Sequence, residues 1–341
     1  MRKLNRVILL AVLIASGCIT APVDVVKSGL RPMWMDNPHA KYPLKYYLTA
    51  VGEADSLKDA QSIAVGNLAK IFRSDIKVEE HLQERYFELM GDKNSYQEKS
   101  QFDRDVRVSS DMSLVNVQYA DSYRDTVGRI YSLAFINRHQ TSKIYVSRLA
   151  ENDERTVSFV EKSKTEVPAV EYAALSAAVA ISSDSQILLE QLDVISSVAK
   201  KETSMSYEHD QLLQQLADAA GRVHFMVRVS GDQSKKICGA LESLVTDMGF
   251  VIDKKAPLGI NGVVTFEDTD LKRGDLTFVR YEAKIDVLDI SGQTVVSVSK
   301  RGREGHVSKA EAEARCLRTI ATLIDSNLKT RLQKYFDGLV K

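Results

Sequence analysis

Val279-Arg280-Tyr281-Glu282-Ala283-Lys284-Ile285-Asp286-Val287 alternates without a break between apolar and charged side chains. A strand turns successive side chains to opposite faces, so this stretch specifies a sheet with one buried and one solvated face. The flanking sequence supplies the cover. Upstream, Val223, Phe225, Val227 and Val229 alternate in the same way and stop at Gly231-Asp232. Ile237, Leu241, Leu244 and Val245 then recur at helical spacing up to Gly249, a residue suited to the position just past a helix end. Phe250-Val251-Ile252 resumes the extended pattern. Downstream, Ser291-Gly292 turns the chain into Val295–Val298. Ser308-Lys309-Ala310-Glu311 is a capping box that opens a last helix, with Ala310, Ala314, Leu317, Ile320, Ala321 and Ile324 on one stripe. The order β-α-β-β-β-β-α over residues 222–341 predicts helices on one face of a mixed or antiparallel sheet.

Before this domain the chain changes character. No glycine occurs between Gly128 and Gly221, and Pro168 is the lone proline of that stretch. Tyr145, Leu149 and Val157 predict one helix; Tyr172, Leu175, Val179, Leu188, Leu192 and Ile195 predict a second. Pro168 sits in the opening turn of the second, where its missing N–H costs nothing. A helical hairpin over 141–221 follows, with a shorter helix near Leu212–Ala219. The alanine-rich run Ala173–Ile181, bracketed by Glu171 and Asp184, is too short to span a bilayer and reads as a packed helix seam.

Residues 42–140 predict a smaller α+β domain. Tyr46-Tyr47-Leu48-Thr49-Ala50-Val51-Gly52 reads as a strand ending in a glycine turn, and Leu57, Ala60, Ala64, Leu68 and Ile71 follow at helical spacing behind Ser56. Residues 76–89 alternate imperfectly, and the polar stretch 91–105 reads as a loop or extended edge. Val115–Tyr119 and Arg129–Ile136 read as paired strands around Thr126-Val127-Gly128.

The start of the chain says where such a body works. Arg2, Lys3 and Arg6 precede an apolar run from Val7 to Ala15, then Ser16-Gly17-Cys18. This is the plan of a secretory signal peptide, and a cysteine directly after Ser-Gly makes it resemble a bacterial lipobox. The resemblance implies cleavage after Gly17 (signal peptide 1–17) and diacylglyceryl transfer to the Cys18 thiol, with acylation of the new amino terminus by palmitate-like chains. Ala15 stands where the motif usually has leucine. Residues 18–41 form a proline-containing linker, with Pro22, Pro32 and Pro38 forbidding a continuous helix and Trp34 as the lone tryptophan. Trp34 reads either as a partner-binding anchor or as a cap on the edge of the first domain's core. Ile19 follows the cysteine where an aspartate would hold many Gram-negative lipoproteins at the inner membrane, so the expectation is an outer-membrane anchor facing the periplasm.

The pattern Pro32-x-Trp34, Pro38, Tyr46-Tyr47, Ala50-Val51-Gly52, Asp59-Ala60 and Ala64 resembles the LPP-twenty type of bacterial envelope lipoprotein over residues 32 to about 140. What the resemblance implies is a non-enzymatic lipoprotein that works by contact in envelope assemblies, some of them flagellar, with no catalytic residues attached to the pattern. Its glycine and alanines read as packing devices.

Composition fits that address. The chain balances 46 basic against 46 acidic residues, and removal of residues 1–17 leaves 43 against 46. A body so nearly neutral offers no basic face for nucleic acid. Beyond Cys18 the remaining cysteines are Cys238 and Cys316, placed in the two helices of the last domain and expected as free thiols. No Walker loop, GxGxxG, GxSxG or HExxH occurs, and the six histidines stand singly. Asp232 and Asp289 lie at strand ends, where they serve as caps and turn residues or, less commonly, as catalytic carboxylates. Gly302-Arg303-Glu304-Gly305-His306 reads as a connecting loop able to grip an anion.

The expected fold class is therefore α+β, two small α+β domains joined by an α-helical hairpin. No catalytic residue, cofactor or metal is expected. The expected partners are the membrane, through lipid on Cys18, and other envelope proteins or further copies of the chain. A second reading, a periplasmic regulator binding a small ligand or peptidoglycan, places a pocket on the C-terminal sheet.

Overall fold

A computed structural model describes residues 26–28, 30–75, 114–273 and 275–340. The expected signal peptide, Cys18, the linker residues 18–25 and 29, and the expectations for 76–105 lie outside the described residues. The chain divides into two compact units, one built from residues up to 71 with 110–137, the other from 72–109 and 138–341. Both mix helices and sheet, and the fold class is α+β.

In the first unit β1 (Val26–Ser28), β2 (Tyr47–Ala54), β3 (Val117–Arg124) and β4 (Ile130–Asn137) form a sheet in the order β1-β3-β4-β2, with β1 parallel to β3 and the other neighbours antiparallel. Two single turns, α1 (Met33–Asp36) and α2 (Pro38–Lys41), precede β2, and α3 (Leu57–Asp75) follows it. Ser56 caps α3: its hydroxyl accepts from the Asp59 N–H at 3.1 Å and donates to the Asp59 carboxylate at 2.6 Å. Gly52 does not turn the chain, because β2 runs on to Ala54. Its role is clearance. A Cβ on Gly52 would lie 2.1 Å from the Ala60 carbonyl oxygen and 2.3 Å from the Ala64 nitrogen, so α3 lies backbone-on-backbone against the strand. Ala60, Ala64 and Leu68 are fully buried there. The opposite face of this sheet is apolar too. Trp34, Tyr123 and Leu133 form a buried cluster on which Met35, Tyr42 and Phe135 pack.

In the second unit α4 (Arg138–Lys162) and α5 (Pro168–Ile195) form the hairpin, followed by α6 (Ser197–Glu202) and α7 (His209–Ala220). Pro168 is the first residue of α5. On α4 the buried positions are Thr141, Ser142, Tyr145, Leu149 and Thr156, and Val157 points outward, one residue off the expected stripe. The sheet has the order β6-β5-β7-β8-β9, from β5 (His224–Ser230), β6 (Val251–Ile252), β7 (Leu258–Arg273), β8 (Leu276–Leu288) and β9 (Thr294–His306). It is mixed: β5 runs parallel to β6 and β7, and β7-β8-β9 is an antiparallel meander. Val279, Tyr281, Ala283, Ile285 and Val287 are all buried, and Arg280, Glu282 and Lys284 are exposed on the other face.

The buried face is covered by α8 (Lys236–Asp247), α9 (Lys309–Leu323) and α10 (Lys329–Gly338), the last two joined through a π-helical turn at Ile324–Leu328. α8 ends as its sequence requires. Gly249 takes φ +79°, and the Phe250 N–H donates to the Val245 carbonyl, the six-to-one bond of a Schellman end. The hairpin shares this core. Tyr172 of α5 sits edge-on to Phe250 (4.8 Å) and Phe336 (5.0 Å), and Ala173, Ala174 and Leu175 are buried in the same cluster. α5 has the length and composition to cross a bilayer, with half of its most apolar window buried inside the unit.

Candidate functional site

Sequence-derived candidates resolve first into structural roles. The Asp232 carboxylate accepts from the Ile237 and Cys238 N–H groups, each at 2.8 Å, and so caps the start of α8. Asp289 closes the β8–β9 turn: one carboxylate oxygen accepts from the Ser291 N–H (2.8 Å), the Ser291 hydroxyl (2.7 Å) and the Gln293 N–H (2.9 Å). These donors, the Ser291 hydroxyl foremost, hold its pKa below the ordinary aspartate range. Both carboxylates thus have a structural use, one as a cap and one in a turn.

The stretch Gly302–His306 corrects the expectation of a connecting loop, since all five residues belong to β9. Each glycine makes room for a ring from β8. A Cβ on Gly302 would meet the Tyr281 ring, and one on Gly305 the Phe278 ring, both within 2.7 Å. Arg303 lies over the Phe278 ring at 5.6 Å. Glycines punctuate turns more often than strands, so the two glycines read locally as a loop although each stands opposite a ring in the sheet.

Cys238 and Cys316 are free thiols. Cys316 is buried beneath β8, its Sγ 3.8 Å from the Val279 carbonyl oxygen, and burial pushes its pKa up to about 11. Cys238 is half-buried, and burial together with Glu242 raises it as well. Neither has the electropositive setting that makes a thiolate reactive. Among the described residues no group of three His, Cys, Asp or Glu side chains gathers as a metal would require.

A cleft of about 570 Å³ lies in the second unit, away from the sheet face where a pocket was expected. The hairpin tip and the end of α7 line it, with Val160, Lys164, Glu171, Leu175, Asp218 and Arg222 on its walls. Its two cations are paired. Arg222 forms a two-pronged pair with Glu171 at 2.5 and 3.1 Å, and Lys164 meets Glu161 at 2.6 Å. The solvated sheet face is similarly self-paired, through Arg301–Glu282 at 2.7 Å and Lys284–Asp286 at 2.7 Å.

A different kind of surface lies in the first unit, at the turn Pro43–Tyr46 that leads into β2. The Tyr46 and Tyr47 N–H groups both donate to the Pro43 carbonyl at 2.9 Å, which fixes the turn. Tyr42 stacks on Phe135 at 4.8 Å and anchors it to the sheet. Leu44 (56%) and Tyr46 (53%) are left exposed, with Lys41 over the Tyr42 ring at 5.6 Å and Lys45 over the Tyr46 ring at 5.4 Å. Trp34 is 5% exposed in the cluster beneath, which settles its role as core. The sequence signal for this surface is the alternation of lysines with aromatic and apolar residues in Lys41-Tyr42-Pro43-Leu44-Lys45-Tyr46, a stretch that straddles linker and first strand.

No family model matches the chain, and no curated protein matches it. Solved structures do. The secreted protein HP1454 from Helicobacter pylori aligns at 14% identity over 83% of this chain and 99% of its own, with a TM-score of 0.45. A minor lipoprotein from Acinetobacter baumannii aligns at 9% identity over 34% and 91%, TM-score 0.23. Lipoprotein GNA1162 from Neisseria meningitidis aligns at 9% identity over 30% and 99%, TM-score 0.22. Structures similar to this chain thus include a secreted protein and two lipoproteins, all at low identity.

Proposed function

We propose that this chain is a lipid-anchored envelope lipoprotein of the LPP-twenty kind that acts by protein–protein contact rather than by catalysis, held at the outer membrane and facing the periplasm. The observation that carries the reading is the run from Arg2 to Cys18: cations, a short apolar core and small residues converging on a cysteine. The engaged state of Asp232 and Asp289 supports a non-enzymatic role, since the carboxylates best placed for chemistry serve as a cap and a turn. The partners are other envelope proteins or further copies of the chain, of the sort found in motility or other envelope machinery.

Replacement of Cys18 by serine tests the anchor. The variant is expected to leave the membrane fraction as a folded body, and fatty-acid labelling that survives the substitution would refute the assignment. Crosslinking in intact cells, with identification of the neighbours, tests the contact role; a protein that crosslinks to nothing at its native abundance would refute it.

A further inference from the structure

We infer that the turn Lys41–Tyr46 is a second membrane contact, seated in the headgroup layer of the bilayer that carries the lipid on Cys18. The inference rests on the lipidation proposed above and adds a surface to it. Three observations converge.

The first is chemistry. Leu44 and Tyr46 are exposed apolar side chains on a fixed turn, and Lys41 and Lys45 stand over the Tyr42 and Tyr46 rings. Aromatic rings with a polar tip settle at the membrane–water interface, and lysines with apolar stems snorkel from it toward headgroup phosphates. The second is reach. Eight residue steps separate Cys18 from Val26, the start of β1, and they span at most about 28 Å. Register then places the turn. Val26 stands level with Ser122, Ser132 and Gly52 across the sheet, and β2 begins at Tyr47, opposite Asn137. Five residues along the strand and three inter-strand steps make about 22 Å at ordinary sheet spacings. The tether is long enough. The third is direction. β1 runs from Val26 toward the Arg124 end, so its amino end points to the same end of the sheet at which β2 begins. The anchored chain and the turn therefore share one end of the unit. Anionic headgroups are the matching occupant for the two lysines, whose charge such a surface attracts.

The test uses the mature lipid-modified protein in phosphatidylethanolamine–phosphatidylglycerol vesicles doped with a headgroup nitroxide lipid. A fluorophore is placed on Leu44→Cys or on Val127→Cys in a Cys238→Ser background. Val127 is 82% exposed in the β3–β4 turn, at the opposite end of the same sheet. Severalfold stronger quenching at position 44 than at 127 is expected, reduced to the level of 127 by Lys41→Glu with Lys45→Glu. Trp34 emission reports that the unit stays folded; should the double variant unfold, the comparison of 44 with 127 in the parent still decides. Equal quenching at the two positions, with mass spectrometry confirming lipid on Cys18, overturns the second contact and leaves the anchor standing. An unmodified Cys18 overturns both. Burial of the position-44 label in native membranes but not in pure lipid vesicles assigns the turn to a protein partner and overturns the proposal.

Discussion

Substituting Gly52 with alanine adds a single methyl group at the closest approach in the first unit. The new Cβ would stand 2.1 Å from the Ala60 carbonyl oxygen and 2.3 Å from the Ala64 nitrogen, against an ordinary contact of at least 3.4 Å. Both neighbours are helix backbone, so no side chain can swing aside, and α3 must retreat by about 1.3 Å from the 2.1 Å contact. A gap of about 1 Å already forfeits between a quarter and a half of the dispersion energy of the contacts it opens. Ala60, Ala64 and Leu68 are fully buried in that contact. Overpacking ordinarily costs about 1–3 kcal/mol, and a clash with backbone belongs at the upper end, about 3 kcal/mol. For a unit of about one hundred residues this lowers Tm by roughly 12–24 °C. Trp34 makes the assay selective. It is the lone tryptophan and is buried in the first unit, so its emission during urea or thermal unfolding follows that unit alone. Gly66→Ala is the control: it lies in α3 with nothing within 4 Å of its added Cβ, and it should stabilise by about 0.5–1 kcal/mol. Equal midpoints for the two variants would refute the backbone-on-backbone packing of α3.

Two further outcomes follow from the electrostatics. Because burial holds the Cys316 thiol near 11, its neutral form is the one the fold favours; that contribution is whole below the ordinary thiol range and is lost as pH rises toward about 11. Alkylation at pH 8 should modify Cys238 slowly and Cys316 only on unfolding, as read by mass spectrometry; rapid modification of Cys316 in the folded protein would contradict its burial. Asp289 has the opposite sign, since its depressed pKa contributes stability above the ordinary aspartate range that is lost as pH falls through the lowered value. A carboxyl resonance titrating below that range, and loss of β8–β9 amide protection in Asp289→Ala, are expected; a titration at the ordinary value would remove Asp289 from the turn.

What could be read from the sequence tracks how local the determining physics is. The period-two run of β8, the Schellman end at Gly249 and the N-caps at Ser56 and Ser308 are set within a few residues, and each stands where the sequence places it. Gly52 was legible as a packing glycine and illegible as a strand residue. The neighbour that requires it to be glycine lies in α3, and a glycine after a strand-like run reads locally as a turn. Gly302 and Gly305 failed for the same reason, since the rings that fill their places belong to β8. Trp34 shows the complement: its packing against Tyr123 and Leu133 joins residues far apart in the sequence, which no local pattern carries. The Lys41–Tyr46 surface was available residue by residue. Only the fixed Pro43–Tyr46 turn shows which of its side chains are left outside.

The hairpin shows why helical periodicity is silent about what a helix serves. The alanine-rich first half of α5 reads as a seam, and nothing in an alanine says whether it faces a second helix or a sheet. Tyr172 decides it, wedged edge-on between Phe250 and Phe336, so this half belongs to the core that covers β5–β9. The second half packs otherwise. Leu192 and Ile195 are buried, Asn152 of α4 donates to Ser185 at 3.2 Å, and Ser182 meets His209 of α7 at 2.8 Å. The two hydrogen bonds run helix to helix, and Leu192 and Ile195 lie outside the aromatic cluster that covers the sheet. Each half of α5 therefore buries a different set of partners, the first the sheet-covering core and the second the neighbouring helices, and shortening either half removes packing as well as length.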